Sequence, residues 1–149
     1  MHRLNIFLEH IYEAAQQRGT TFESMLSEAR KMGYTGLECD LWRLSDCVNV
    51  RNLFESCGLN VASIYSMYDF LRDTPEKSLD GMKCHLETAA YFGAEKVLAI
   101  PGFFQPGDDR EAGFAKFAEQ LSVMCELAAE YGITVTLEDF DDYISENKD

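Results

Sequence analysis

With 149 residues, 46% of them hydrophobic, the chain has enough apolar material for one domain with a real core and no reason to split into two. Its formal charge of -13 and pI near 4.5 exclude general binding to a nucleic-acid backbone, which needs a basic face to displace counterions. Five cysteines without a CxxC pair read as reduced core thiols, and the apolar runs are too short for a signal peptide or a bilayer span. The sequence therefore predicts a soluble cytoplasmic protein with small-molecule or protein partners, no membrane and no nucleic acid.

Residues 4–8 read as a first buried strand, with Glu9 and His10 at its carboxyl end. Thr20 and Glu23 have capping-box spacing, and Phe22, Met25, Leu26, Ala29 and Met32 continue at helical period until Gly33. The second strand, 36–41, alternates Leu37, Cys39 and Leu41 with Glu38 and Asp40. Ser45 is placed to cap a helix carrying Val48, Leu53 and Phe54 that ends at Gly58. A third strand follows over Asn60–Met67. Thr74 before Pro75 starts the next helix, since proline in the first turn forfeits no intrahelical hydrogen bond; Leu79, Met82, Leu86 and Ala89 form its stripe. Residues 96–101 are the fourth strand, leading into the loop GFFQPGDD, where Phe103 and Phe104 read either as a lid or as a loop anchor. The last helix buries Phe114, Phe117, Leu121, Met124, Cys125 and Ala128, and Gly132 ends it.

The closing strand region, 133–142, reads ITVTLEDFDD. Ile133, Val135 and Leu137 occupy one face, and Thr134, Thr136 and Glu138 the other. Glu138 thus stands at the carboxyl end of a strand, where parallel α/β proteins bind their ligands. Asp139, Asp141 and Asp142 read as a hydrated acidic loop or a weak cation site, and 143–149 as a frayed polar tail. His10 reads either as a surface histidine or as a residue facing the same mouth. The neighbours Cys84 and His85 diverge by roughly 100° on a helix and do not chelate one ion.

Strand, polar loop, amphipathic helix and glycine succeed one another four times, which predicts a parallel sheet built by crossovers. The predicted fold is α/β: one domain over 1–149, a partial (β/α)8 barrel of five parallel strands and four helices. A doubly wound small-molecule-binding module is the alternative, disfavoured because no glycine-rich phosphate loop follows the first strand.

GYTGLECDL, the strand after GLN with its YDF, AEKVLAIPGFF and AAEYGITVTLEDFDD together resemble the N-terminal half of the sugar phosphate isomerase/epimerase family, the xylose-isomerase-like TIM barrels. The resemblance implies a divalent metal (Mn, Mg, Co or Zn) at the barrel mouth, held by acidic and histidine side chains on strands five to eight. Glu138 matches the strand-five glutamate, a metal ligand and possible acid/base; the remaining ligands have no counterparts in these residues. Glu38, Asp40, Tyr65, Pro101 and Gly102 would line the side that binds a sugar or sugar phosphate. The implied reaction moves a proton between carbons beside a sugar carbonyl once the missing C-terminal half is supplied, and the 149 residues alone are expected to be inactive. The competing readings are a non-catalytic half-barrel associating through its exposed strand edges, most simply as a homo-oligomer, and the endonuclease branch of the same barrel, which the charge opposes.

Overall fold

The alternation read in the sequence becomes a curved sheet with two chemically distinct faces. The computed structural model describes residues 3–138; the acidic loop of Asp139, Asp141 and Asp142 and the tail at 143–149 lie outside the described residues. The strands are β1 (Asn5–Phe7), β2 (Gly36–Asp40), β3 (Asn60–Met67), β4 (Lys96–Ile100) and β5 (Thr134–Leu137). They form one parallel sheet in the order β1-β2-β3-β4-β5. A doubly wound sheet would move its first strand inward between later ones, so this sequential order selects the barrel wall.

Leu37, Cys39, Ile64, Val97 and Ala99 are fully buried on the outer face. They meet the helices α1 (Leu8–Arg18), α2 (Phe22–Lys31), α3 (Cys47–Ser56), α4 (Pro75–Phe92) and α5 (Arg110–Tyr131), whose buried side chains include Leu26, Phe54, Met82, Leu86 and Met124. Each such side chain contributes roughly 1.5–3 kcal/mol by leaving water, so this interface carries the fold. The inner face shows Asn5, Glu38, Ser63, Lys96, Leu98 and Thr136 instead, lining an open groove of about 400 Å³ that reaches Arg3, Asn60 and Glu95 at the amino ends of the strands.

Five helices stand where four were predicted. The additional one, α1, follows β1 without a loop: Leu8, Ile11 and Ala15 repeat at helical spacing and are buried, and Gly19 closes the helix in the left-handed conformation. Leu8, read as strand, is its first residue. Thr21, not Thr20, caps α2, accepting a hydrogen bond from the Ser24 amide at 3.2 Å. A 3-10 turn, Leu41–Leu44, precedes α3, so Ser45 ends that turn and does not cap the helix; Val48 is exposed and Phe54 carries the packing. On α5 the buried stripe is Gln120, Met124 and Ala128, which turns Cys125 and Phe114 outward. Only Cys39 is a core thiol: Cys47 and Cys57 are half-buried, and Cys84 and Cys125 are exposed. Burial, then the charges of Glu38 and Asp40, push the Cys39 thiol far above its ordinary range, so it packs as a small neutral apolar group.

Candidate active site at the carboxyl ends of the strands

Parallel register orders the inner wall into rows. Glu38 pairs with Ser63, and Ser63 with Lys96 and Thr134 beyond it; one step toward the carboxyl end come Asp40, Tyr65, Leu98 and Thr136. Glu138 continues the face of Thr136 after β5 has ended. Its amide donates to the Ala99 carbonyl at 3.1 Å, which holds it level with Ile100, and its side chain is half-buried. The sequence-predicted residues therefore divide. Asp40, Tyr65, Pro101, Gly102 and Glu138 stand at the carboxyl-end mouth, whereas Glu38 lies deeper, in the groove shared with Asn5 and Asn60.

Each mouth residue has a local account. Asp40 accepts a hydrogen bond from the Trp42 amide at 2.9 Å and so starts the turn after β2; that turn leaves Trp42 83% exposed at the rim. Pro101 is buried. Gly102 has φ +91°, and a Cβ there would stand 2.7 Å from the Tyr68 carbonyl oxygen, so only glycine lets the loop after β4 run this close to the loop after β3. Arg72 ties the same two loops, donating to the Phe103 carbonyl at 2.9 Å and to Asp108 at 2.5 Å. The Gln105 amide and then Arg72 hold the Asp108 carboxyl below its usual range. Phe104 packs edge-on against Phe114, with ring centroids 5.1 Å apart, and under Arg110, the anchor reading of the aromatic pair; Phe103 is 40% exposed.

Sequence reasoning left two features out of the site. Glu9, in the first turn of α1, accepts a short hydrogen bond from the Tyr65 hydroxyl. Burial first, then the hydrogen bond and charge of Glu9, raise the Tyr65 pKa well above the ordinary phenol value, so the hydroxyl keeps its proton. The sequence put Glu9 at the carboxyl end of the first strand, but its partner Tyr65, 56 positions on, was not readable from local pattern. His85 is the other: wholly buried, its Nε2–H donates to the Ile64 carbonyl at 2.9 Å while Nδ1 accepts from the Tyr68 hydroxyl at 2.8 Å. The carbonyl can only accept, which fixes this tautomer. Burial lowers its pKa to about 4, leaving a neutral clip between α4 and β3. Cys84 beside it points to solvent, and His10 is exposed with its ring edge-on to Phe7.

Among the described residues no three His, Cys, Asp or Glu side chains group so as to hold a metal ion, and no helix is long and apolar enough to cross a membrane. Glu138 supplies one oxygen ligand where a divalent cation needs several at fixed geometry.

A sequential parallel sheet with helices packed on its outer face and carboxylates at its carboxyl-end mouth defines part of a (β/α) barrel wall. The chain belongs to the xylose isomerase-like TIM barrel family, whose model matches residues 26–147. Among solved structures, it is similar to a family 2 AP endonuclease from Brucella melitensis, with TM-score 0.78 and 18% identity over 94% of this chain and 56% of that one. A sugar phosphate isomerase/epimerase from Parabacteroides distasonis gives 0.72 and 16%, over 91% and 50%. IolI protein with a bound zinc atom gives 0.60 and 19%, over 77% and 44%. The chain thus spans about half the length of these structures. No curated protein sequence matches it.

Proposed function

We propose that this chain forms the first five strands of a sugar or sugar phosphate isomerase/epimerase, with Glu138 as the proton-transferring carboxylate. The observation that carries the reading is the position of Glu138: registered beside Ile100, on the inner face, at the carboxyl end of β5. There a carboxylate can remove the proton from a carbon flanking a sugar carbonyl and return it, on the same face, to the neighbouring carbon, the electron pair resting meanwhile on the carbonyl oxygen as an enediolate; inversion at the same carbon would need a second proton donor on the opposite face, from the strands that follow. Asp40 and Tyr65 face the same space and bind substrate hydroxyls; Pro101 and Gly102 shape the loop beside them, and Glu38 closes the wall below.

A divalent metal of the Mn, Mg, Co or Zn kind would polarise the carbonyl and stabilise that charge. Glu138 is the ligand this chain offers; the others would come from strands six to eight. Three more strands would also pair with the open edges of β1 and β5; Leu4, just before β1, and Leu137, the last residue of β5, are 52% and 40% exposed. An unpaired edge with apolar side chains is a surface for association, and its proposed occupant is the other barrel half.

The test is a chimera joining this chain through Glu138 to the part of the Parabacteroides distasonis relative that follows its fifth strand. With D-fructose and D-fructose phosphate in heavy water and Mn2+, exchange of the carbon-bound proton is expected. Glu138→Gln should lower it by about 100-fold or more, the usual worth of a positioned general base. A folded chimera whose exchange ignores that substitution would refute the role of Glu138. The chain alone is predicted to show no exchange.

A further inference from the structure

Just past the first strand, at the start of α1, stands a carboxylate that the proton-transfer reading does not use. Glu9 and Tyr65 come from α1 and β3, 56 positions apart in sequence, and meet through the Tyr65 hydroxyl and Glu9 Oε2. That bond uses the hydroxyl proton and one carboxylate oxygen. The phenol oxygen can still accept, and so can Glu9 Oε1, which makes no hydrogen bond among the described residues. Two acceptors a few ångströms apart, fixed by their own mutual bond, match two neighbouring hydroxyl donors. Phe7 stands beside them: its ring is edge-on to Tyr65 at 5.9 Å and 73°, and edge-on to His10 at 5.6 Å and 71°. At 37% exposure it offers an apolar surface next to the acceptors, as a site for an amphipathic sugar requires.

The position of the pair around the cylinder gives it a purpose. In an eight-stranded barrel the first and fifth strands are four places apart and therefore face each other across the mouth. The sequential order of β1 to β5 sets Glu9 on the wall opposite Glu138. The geometry points to Glu9 and Tyr65 as a vicinal-diol clamp, accepting hydrogen bonds from two adjacent hydroxyls of a sugar or polyol whose C–H edge lies on Phe7. The clamp would hold the non-reacting end of a substrate while its carbonyl end reaches Glu138. This rests on the barrel reading above but needs none of its chemistry, because every clamp residue lies within this chain. The raised Tyr65 pKa agrees with a hydroxyl held as a neutral donor to Glu9.

The probe is xylitol, which has vicinal hydroxyls and no carbonyl, so it cannot undergo proton transfer. It would be titrated into the 149-residue chain with ring-labelled tyrosine, followed by NMR, with Tyr65→Phe identifying the Tyr65 resonance. A saturable shift at Tyr65 is expected. Glu9→Gln should weaken it fivefold or more, since an amide replaces the carboxylate acceptor, while Glu87→Gln, on the exposed side of α4, should leave it unchanged. A Tyr65 resonance that ignores xylitol, or responds equally after Glu9→Gln in a variant that keeps the parent's circular dichroism, would overturn the clamp. Either result is independent of whether Glu138 transfers protons.

Discussion

The two faces of one sheet make the sharpest contrast in this molecule. On the outer face Leu37, Cys39, Ile64, Val97 and Ala99 have no exposure; one residue along the same strands, Glu38, Asp40, Tyr65, Leu98 and Thr136 are half-exposed and mostly polar. Neighbouring residues on one strand therefore face opposite demands, because successive side chains point to opposite sides. The outer face gains stability from dehydration and close packing against five helices. The inner face retains groups that contribute little to folding and are available for chemistry, so substitutions on the two faces should differ in kind.

Ile64→Ala should produce the largest loss. It leaves a cavity between β3 and the helices, and a cost of about 3–4 kcal/mol is expected in a denaturant-unfolding measurement. Acid should sharpen the same contrast through His85. Its folded pKa of about 4 lies below the ordinary 6.5, so between those values the unfolded chain binds the proton and the folded chain does not. Stability is present above pH 6.5 and falls as the pH drops toward 4, by up to roughly 3 kcal/mol over the whole window. His85→Gln, which does not titrate there, should flatten that part of the pH profile; an unchanged slope would show that other groups cause it.

Gly102→Ala should cost about 2 kcal/mol, because the new side chain meets both a positive φ and the Tyr68 carbonyl. Its thermal midpoint can be read against that of Gly107→Ala, where φ is +94° but a Cβ meets nothing within 4 Å; the difference isolates the contact between the two mouth loops. At the small end, Glu38→Gln on the inner face should change stability by no more than about 0.5 kcal/mol. A loss comparable with that of Ile64→Ala would erase the distinction between the faces.

How much of this was legible in the sequence depended on range. Period-two alternation in GLECDL and ITVTLED specified the faces of β2 and β5, and Thr74-Pro75, Gly93 and Gly132 set helix ends, because these signals act within a few residues. The register that puts Tyr65 level with Asp40 was not local. Nor was the bond from Tyr65 to Glu9, or the His85 clip between Ile64 and Tyr68, since a side chain's partner across tens of residues is chosen by tertiary packing. The placement of α1 failed for a nearer reason. Leu4, Ile6 and Leu8 alternate like a strand, while Leu8, Ile11 and Ala15 repeat like a helix, and Leu8 belongs to both patterns. Packing against α2 and β2 decides for the helix. Glu38 shows a further limit: alternation put it on the correct face but could not give its depth, which lies one row below Asp40.

In the proposal, Glu138, on the inner wall, is assigned to proton transfer and not to folding. The most direct test measures two properties of one substitution in the completed barrel: the unfolding free energy and the proton-exchange rate of Glu138→Gln. Stability within about 0.5 kcal/mol of the parent and exchange lowered by about 100-fold or more are expected. Stability lost on the scale of Ile64→Ala, or exchange left intact, would contradict it.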